Sequence, residues 1–199
     1  MIAAAWMSQL ASQHFPCTLS QRRAFPTPSE LWSLLSSHDT CLLVPYDTDR
    51  NFEPCRNKGH TAHWALVTGC LVVKHPIGAD NTTAGDSSDV LPSTGMPDTE
   101  LHNLCWISIP KADKQSPIGS LSGAKAVVDD WAKTSLYVFA FHGKSKHPGL
   151  WAYKRLLESN KNLKELGPKR ERDELAYALP EGGVEAGLAG QIVTFTKLH

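Results

Sequence analysis

The residue best suited to chemistry in this sequence is His63, which begins its longest apolar run. Residues 59–67 read GHTAHWALV, so a polar segment that contains glycine leads directly into an apolar strand pattern. An imidazole at such a position has a packed body and an exposed edge, which is how a general base is held beside a nucleophile. A structural histidine at the start of a strand is the alternative that this pattern leaves open.

Two metal-binding patterns also begin in this region, and neither is complete. Residues 47–51 (DTDRN) start like a calcium-binding loop, but Phe52 stands where that loop needs glycine and Lys58 where it needs glutamate. Four side chains offer zinc ligands at irregular spacing: Cys55, His60, His63 and Cys70. A zinc module therefore stays a minor alternative, and we expect neither a bound metal nor a cofactor.

The bulk composition narrows the class of protein. The chain has 199 residues, enough for one domain, and its 20 Lys and Arg residues balance 20 Asp and Glu residues. This neutral charge argues against nucleic acid as a partner. No apolar run approaches the roughly 18 residues that span a bilayer, so no membrane is expected. The five scattered cysteines, without a secretory signal, predict reduced thiols in a cytoplasmic protein.

The elements that must position His63 follow from local patterns. Residues 1–13 show the apolar spacing of a helix, and Thr27 begins a second helix as its N-cap, with Glu30 three residues on. Pro45 is expected to end a short strand that begins at Cys41. Further elements are predicted as strands at 17–19, 63–73, 104–109, 136–141, 150–153, 175–179 and 191–195, as a helix at 153–160, and as a glycine-containing connector at 182–187.

The order of these elements predicts the fold class and the domain organisation. Helices first and then mostly strands is typical of an α+β fold with segregated layers, here N-terminal helices followed by an antiparallel sheet. Residues 75–103 and 111–134 are poor in bulky apolar groups and cannot offset their ordering entropy. We therefore expect a single domain over residues 1–199 with two flexible insertions.

Three blocks of short motifs stand in a definite order along the chain. The first consists of residues 43–47 (LVPYD), 52–55 (FEPC) and 58–65 (KGHTAHWA). The second consists of residues 143–145 (GKS), 150–151 (LW), 158–160 (ESN) and Leu163, and the third of residues 182–184 (GGV), 186–188 (AGL) and 190–191 (GQ). Together they resemble the actin maturation protease family over about residues 40–70 and 136–196.

The resemblance implies a papain-like cysteine peptidase fold, similar to that of the bacteriocin-leader peptidases. It also implies the family's activity, a cysteine-type aminopeptidase that removes the acetylated N-terminal residue (acetyl-Met or acetyl-Cys) from immature actin. Actin is then the implied partner. The family's catalytic histidine corresponds to His63, which would take the thiol proton and later protonate the leaving amine.

The family nucleophile lies in a Gly-x-x-Cys-Gly-Leu segment that opens a helix, and no segment here has that pattern. Cys17 and Cys55 correspond to other positions of the family. Cys41 and Cys70 lie in apolar strands, where a thiol is inert. We therefore expect an N-terminally truncated peptidase that lacks its nucleophile helix and is inactive alone. The rival hypothesis is a non-catalytic module that binds actin or another partner.

The residue that orients the imidazole is the last prediction from sequence. In related papain-like folds the strand after the histidine strand often brings an acid, and the corresponding residue here is Ala152. Asn160 is the fallback candidate, and a polar cap near the end of a helix is its alternative role. The predicted site is thus His63 as general base, Asn160 as orienting residue, and no identified nucleophile.

Overall fold

The strands form one antiparallel sheet in the computed structural model, which describes residues 3–15, 18–74, 104–108, 131, 134–168 and 182–198. The elements are, in chain order, α1 (Ala4–His14), β1 (Thr18–Ala24), α2 (Pro28–Ser36), β2 (Thr40–Thr48), β3 (Pro54–Cys55), β4 (Ala62–Lys74), β5 (Leu104–Ser108), β6 (Thr134–Phe141), β7 (Gly149–Ala152), α3 (Tyr153–Lys161), α4 (Gly183–Leu188) and β8 (Gln191–Lys197). The strand order is β1-β8-β2-β4-β6-β7, with β3 beside β2 and β5 beside β4. The predicted α+β class with an antiparallel sheet is confirmed.

The predicted separation into N-terminal helices and a later sheet is wrong in detail. β1 lies between α1 and α2 in the chain and pairs with β8, while α3 and α4 follow strands. The segment predicted as a glycine-containing connector forms α4, although glycine is a poor helix former. Val184 and Leu188 are one helical turn apart and both are buried, so tertiary packing outweighs propensity there.

Pro45 does not end β2, contrary to the sequence prediction. The strand continues to Thr48, and Pro45 pairs in register with Trp64 of β4. The carbonyl of Pro45 accepts a hydrogen bond from Asn160 Nδ2 at 2.9 Å. The nitrogen and the carbonyl of one strand residue point to the same side of the strand, so the Pro45 nitrogen faces the β8 side of β2. The pairing of β2 with β8 ends at Leu43, and no N–H donor is therefore required from residue 45.

The remaining local predictions have two outcomes. The helix from residue 153 and the strands around 63–73, 104–109, 136–141, 150–153 and 191–195 are confirmed with shifted ends. The strand predicted at 17–19 is the start of the longer β1. The strand predicted at 175–179 and nearly all of the two predicted insertions lie outside the described residues. None of the helices within the described ranges is long and apolar enough to cross a membrane.

The second helix begins where its capping pattern predicts. The Thr27 hydroxyl accepts the backbone N–H of Glu30 at 3.3 Å, and the Glu30 carboxylate accepts the backbone N–H of Thr27 at 2.8 Å. The hydrogen bonds from the Thr27 backbone and hydroxyl hold the pKa of Glu30 below its usual value. This reciprocal cap fixes the start of α2, whose Leu31 and Leu35 are buried against the sheet.

Two clusters of buried apolar side chains cover the two faces of the sheet at the start of β4. The main core contains Leu31, Leu35, Leu42, Val44, Tyr46, Ala65, Val67, Cys70, Val72, Leu136, Val138, Ala140, Trp151, Leu156 and Ile192. The smaller core contains Ala62, Leu163, Val184 and Leu188. Side chains alternate along a strand, so Ala62 and Ala65 point to opposite faces. The first residues of β4 are therefore held between two packed layers.

Candidate active site

His63 is the second residue of β4, and its side chain is exposed. It pairs in register with Tyr46 of β2, and residues directly opposite in an antiparallel pair project to the same face. Alternation along β4 puts His63 on the face of Ala65 and Val67, which belong to the main core. The imidazole thus stands at the solvent-accessible end of a packed face.

A run of aromatic rings lies on this same face. The ring centroids of Tyr46 and Trp151 are 5.1 Å apart, and His142 lies 6.2 Å from Trp151 and stacks on Phe52 at 5.1 Å with an interplanar angle of 5°. The Tyr46 hydroxyl donates to the Phe52 carbonyl at 3.1 Å. Burial, with the charges of Asp49 and Cys55, raises the pKa of Tyr46 well above its usual value, so this hydroxyl stays protonated. The residue opposite His63 is therefore fixed on both its ring and its hydroxyl.

The segment before β4, residues 57–61, is here named the histidine loop, and a buried carboxylate holds it. Asp47 Oδ2 accepts the backbone N–H of Asn57 at 3.1 Å and of Gly59 at 2.7 Å. Asp47 Oδ1 accepts the N–H of Thr61 at 3.1 Å and its hydroxyl at 3.3 Å. A charged acceptor makes stronger hydrogen bonds than a neutral one, so these four bonds anchor the loop to β2.

The other side of the histidine loop packs against the chain that follows α3. The Lys58 carbonyl accepts the N–H groups of Lys164 at 2.9 Å and Glu165 at 2.8 Å, and the Lys58 N–H donates to Asn162 Oδ1 at 2.9 Å. Gly59 has φ +102°, and a Cβ there would lie 2.5 Å from the Glu165 carbonyl oxygen. Glycine is thus required both by the backbone conformation and by the close approach.

Ser159 and Asn160 are both fully buried beside β2. The Ser159 hydroxyl accepts the N–H of Asp47 at 2.9 Å and donates to the Asp47 carbonyl at 3.1 Å. Asn160 Nδ2 donates to the carbonyls of Pro45 at 2.9 Å, Gln191 at 3.1 Å and Leu188 at 3.5 Å. Its Oδ1 has no hydrogen-bond partner among the described residues. Asn160 therefore bridges backbone groups where β2 and β8 diverge, and its amide makes no hydrogen bond to His63.

Ala152, the position considered for an orienting acid, lies far from His63. It pairs with Tyr137 of β6, and Tyr137 pairs with Leu71 of β4. Leu71 is eight residues along the strand from His63, which corresponds to roughly 25 Å at the rise of a β-strand. An acid at residue 152 would not reach the imidazole.

The described cysteines are not placed beside the imidazole. Cys41 lies on β2 opposite Phe195, five residues from Tyr46, and the buried Cys70 is seven residues along β4 from His63. Cys55 pairs with Asp47, and Asp47 pairs with Ala62, so the Cys55 side chain projects to the face opposite that of His63.

The ionisation of Cys41 and Cys55 is also unfavourable for nucleophilic attack. Burial raises the pKa of the Cys41 thiol. Burial, followed by the charges of Asp47 and Asp49, raises the pKa of Cys55, with smaller opposing effects from the Thr61 hydroxyl and Arg155. The thiolate is the reactive form, so both thiols are poor nucleophiles at neutral pH. Cys17 and the side chain of Cys105 lie outside the described residues.

The residues considered as metal ligands do not converge. His60 Nε2 lies 3.0 Å from Glu165 Oε1 in a hydrogen bond on the outer side of the histidine loop. Asp49, which suggested a calcium loop, accepts the N–H groups of Asn51 at 2.8 Å and Glu53 at 2.9 Å and shapes a turn. Within the described ranges, no three His, Cys, Asp or Glu side chains form a group that could hold a metal ion.

The residues that hold the segment before His63 are not evident from the sequence. There Asp47 is only part of an incomplete calcium motif and of a family block, and Ser159 is only part of a block. One signal pointed to Asp47: an acid that directly continues an apolar strand pattern (LVPYD) must be buried and must find donors. Nothing in the local sequence shows that those donors lie 10 to 14 residues later.

Comparisons with known proteins agree on one group. The family model for the "Actin maturation protease-like, C-terminal domain" matches residues 1–71. The chain is 38% identical over 162 residues to the actin maturation protease of Mus musculus, covering 81% of this chain and 38% of that protein. For the proteins of the same name from Xenopus tropicalis and Homo sapiens the identities are 34% over 197 residues and 34% over 167 residues.

The matched length differs between this chain and its relatives. The Xenopus tropicalis alignment covers 98% of this chain and 55% of that protein, and the Homo sapiens alignment covers 83% and 40%. The chain therefore spans between 38% and 55% of the length of these three relatives. No solved structure matches the chain.

Proposed function

Because this chain belongs to the actin maturation protease family, we propose that it carries the histidine half of a cysteine-type aminopeptidase site. The substrate is the acetylated N-terminus of immature actin, and the fold is papain-like. His63 takes the proton of the attacking thiol and later donates a proton to the leaving amine. Asn160 supports this site through the backbone rather than through the imidazole.

The observation that carries the proposal is the setting of His63. It is exposed at the second residue of a strand whose next residues on the same face, Ala65 and Val67, are buried, and the loop before it is bonded on two sides. A general base needs this combination, because its ring must be accessible while its backbone stays fixed.

The proposal assigns the nucleophile to a segment that these 199 residues do not contain. No Gly-x-x-Cys-Gly-Leu pattern occurs in the sequence. Cys55, the described cysteine nearest to His63 across the strand ladder, lies on the wrong face and has a raised pKa. The polypeptide is therefore expected to be inactive by itself. Turnover of an acetylated actin N-terminal peptide by this chain, abolished by Cys55→Ala, would contradict that expectation.

A chimera tests the role of His63 directly. In the Xenopus tropicalis relative, the region that aligns with this chain is replaced by the chain, and hydrolysis of an acetylated actin N-terminal peptide is measured. We expect turnover by the chimera and a fall on the order of 10⁴-fold or more with His63→Ala, because members of a catalytic unit depend on one another. The matched control is His147→Ala in the exposed turn after β6. Equal activity of the two variants would remove His63 from the site.

The alternative function is a non-catalytic module that binds actin, and the placement of the described cysteines away from His63 favours it. Co-sedimentation of the chain with filamentous actin distinguishes the two functions when it is combined with the chimera. Tight binding together with a folded but inactive chimera would establish the module. An active chimera that loses turnover with His63→Ala would exclude it as the main function.

A further inference from the structure

The environment of the Asp47 carboxylate is not explained by its position in β2. Its carboxylate is fully buried, and it accepts four hydrogen bonds from neutral groups of one five-residue segment, the histidine loop. Burying a carboxylate has a large desolvation cost that only a complete set of donors offsets. A polar residue of neutral charge would close an ordinary loop with less cost. The presence of a charged side chain at residue 47 therefore indicates that the histidine loop has to be held rigidly.

The backbone of Asp47 is held as firmly as its side chain. Its N–H and its carbonyl both bond to the Ser159 hydroxyl, at 2.9 and 3.1 Å. Asp47 is therefore a fixed point between α3 and the histidine loop, and any motion of the loop away from β2 breaks hydrogen bonds to a charged group. The strand pairing Asp47–Ala62 lies one step from the pairing Tyr46–His63. Along β2, Asp47 is thus the neighbour of Tyr46, and along β4 its partner Ala62 is the neighbour of His63.

The carboxylate does not contact the imidazole. Asp47 shares a face with Ala62, and His63 shares the opposite face with Tyr46. Any influence on His63 passes through Thr61 and the direction in which the chain enters β4. A residue near the start of a strand lacks the support that strand interiors have on both sides, so this entry direction is set by the loop.

We propose that Asp47 is a positioning residue for His63: its buried carboxylate fixes the histidine loop and thereby the orientation of the imidazole that the proposed function requires. This inference rests on that function for its purpose, but its physical content is separate. A displacement of about 1 Å at a catalytic group lowers the rate on the order of 10²-fold, so a clamp of this kind has a clear advantage.

The test is Asp47→Asn in the full chain, because asparagine keeps the shape but loses the charge and places an NH₂ group against backbone donors. The matched control is Asp49→Asn, since Asp49 also accepts two backbone N–H groups but shapes the turn at residues 49–53 instead. Two quantities are measured by NMR under conditions where all proteins are fully folded. They are the hydrogen-exchange rates of the Gly59 and Thr61 amides and the ring resonances of His63.

For Asp47→Asn we expect exchange at Gly59 and Thr61 to rise about tenfold or more, and the His63 ring signals to shift and broaden. Asp49→Asn should leave both unchanged. A lower melting temperature for Asp47→Asn with His63 signals identical to the parent would show a merely structural role and overturn the proposal. An equal effect of Asp49→Asn on the His63 signals would overturn it as well.

A second variant keeps the test decisive if Asp47→Asn does not fold. Thr61→Val removes the Thr61 hydroxyl bond to Asp47 and keeps the Thr61 N–H bond. It should move the same signals in the same direction by a smaller amount, and unchanged His63 signals would again contradict the proposal. None of these measurements uses turnover, so an inactive chimera would refute the proposed function without affecting this result.

Discussion

The histidine loop and the turn at residues 142–148, here named the basic turn, both contain a glycine with positive φ. The donors and acceptors that hold them differ. Besides its local hydrogen bonds, the histidine loop is tied to distant parts of the chain by bonds between residues 10 to 107 positions apart, to Asp47 on one side and to residues 162–165 on the other. The basic turn uses bonds between residues two apart, such as His147 N–H to Ser145 Oγ at 3.0 Å.

The two glycines show the same difference. A Cβ at Gly59 would lie 2.5 Å from a backbone carbonyl, whereas a Cβ at Gly143 would meet nothing within 4 Å. One loop is therefore built into the packed structure, and the other is an exposed reversal with room around it. Glycine and polar composition therefore predict a turn, but they do not tell whether the turn can hold a neighbouring side chain in place.

The largest effect is expected beneath the histidine loop, at Asn160. In the unsubstituted protein, Asn160 Nδ2 donates to the carbonyls of Pro45, Leu188 and Gln191. Asn160→Asp would place a buried carboxylate against these three carbonyls. We expect the free energy of unfolding to fall by about 3–5 kcal/mol, measured by urea denaturation. Asn162→Asp is the control, because that side chain already acts as an acceptor for Lys58 N–H. Equal losses for the two variants would contradict the role assigned to Asn160.

The next largest effect separates the two glycines. Gly59→Ala should lower the free energy of unfolding by about 2–4 kcal/mol, since it adds a steric clash to the cost of positive φ. Gly143→Ala carries only the backbone cost, about 1–2 kcal/mol. Chemical denaturation of the two variants measures the difference. If Gly143→Ala destabilises the protein as much as Gly59→Ala, the contrast between the loops is lost.

A smaller effect is expected at the serine that joins α3 to β2. Ser159→Ala leaves the N–H and carbonyl of Asp47 without their buried partner, which should cost about 1–3 kcal/mol. The matched control in the basic turn is Ser145→Ala, where the exposed His147 N–H can bond to water and the change should stay within about 0.5 kcal/mol. Thermal denaturation of both variants decides the comparison.

The hydrogen bond on the outer side of the histidine loop should contribute little to stability. His60 Nε2 and Glu165 Oε1 lie 3.0 Å apart, but both side chains are partly exposed. His60→Gln is expected to lower the free energy of unfolding by less than about 1 kcal/mol, measured by urea denaturation. A larger loss would show that this pair, rather than Asp47, holds the loop.

The Cys55 thiol is expected to react slowly with alkylating reagents. The pKa of the Cys55 thiol is raised by burial and by Asp47 and Asp49, so less thiolate is present at pH 8 than for an ordinary cysteine. Alkylation of Cys55 by iodoacetamide, followed by peptide mass spectrometry, should be several-fold slower in the folded chain than in urea and should accelerate as the pH rises above about 9. Asp49→Asn should increase the rate. Fast alkylation at pH 7 would instead make Cys55 a candidate nucleophile.

Local sequence patterns predict an element correctly where the contacts that control it are close in sequence. The Thr27–Glu30 cap and the start of α2 follow from residues three positions apart, and the strand after His63 follows from an apolar run. They failed where distant groups decide. Pro45 stays inside β2 because Asn160 takes its carbonyl and β8 has already diverged, and α4 forms on glycine-containing sequence because Val184 and Leu188 are buried.

Three features follow from the sequence alone: the α+β class, the position of His63 at the start of a long strand, and the family to which the chain belongs. Which groups hold that histidine in place depends on tertiary contacts. Asp47 and the histidine loop are joined across 10 to 14 residues, and Asp47 and Ser159 across 112. Such bonds form because folding brings buried donors and acceptors together and leaves no water to satisfy them, and that demand cannot be assigned to specific partners from local sequence.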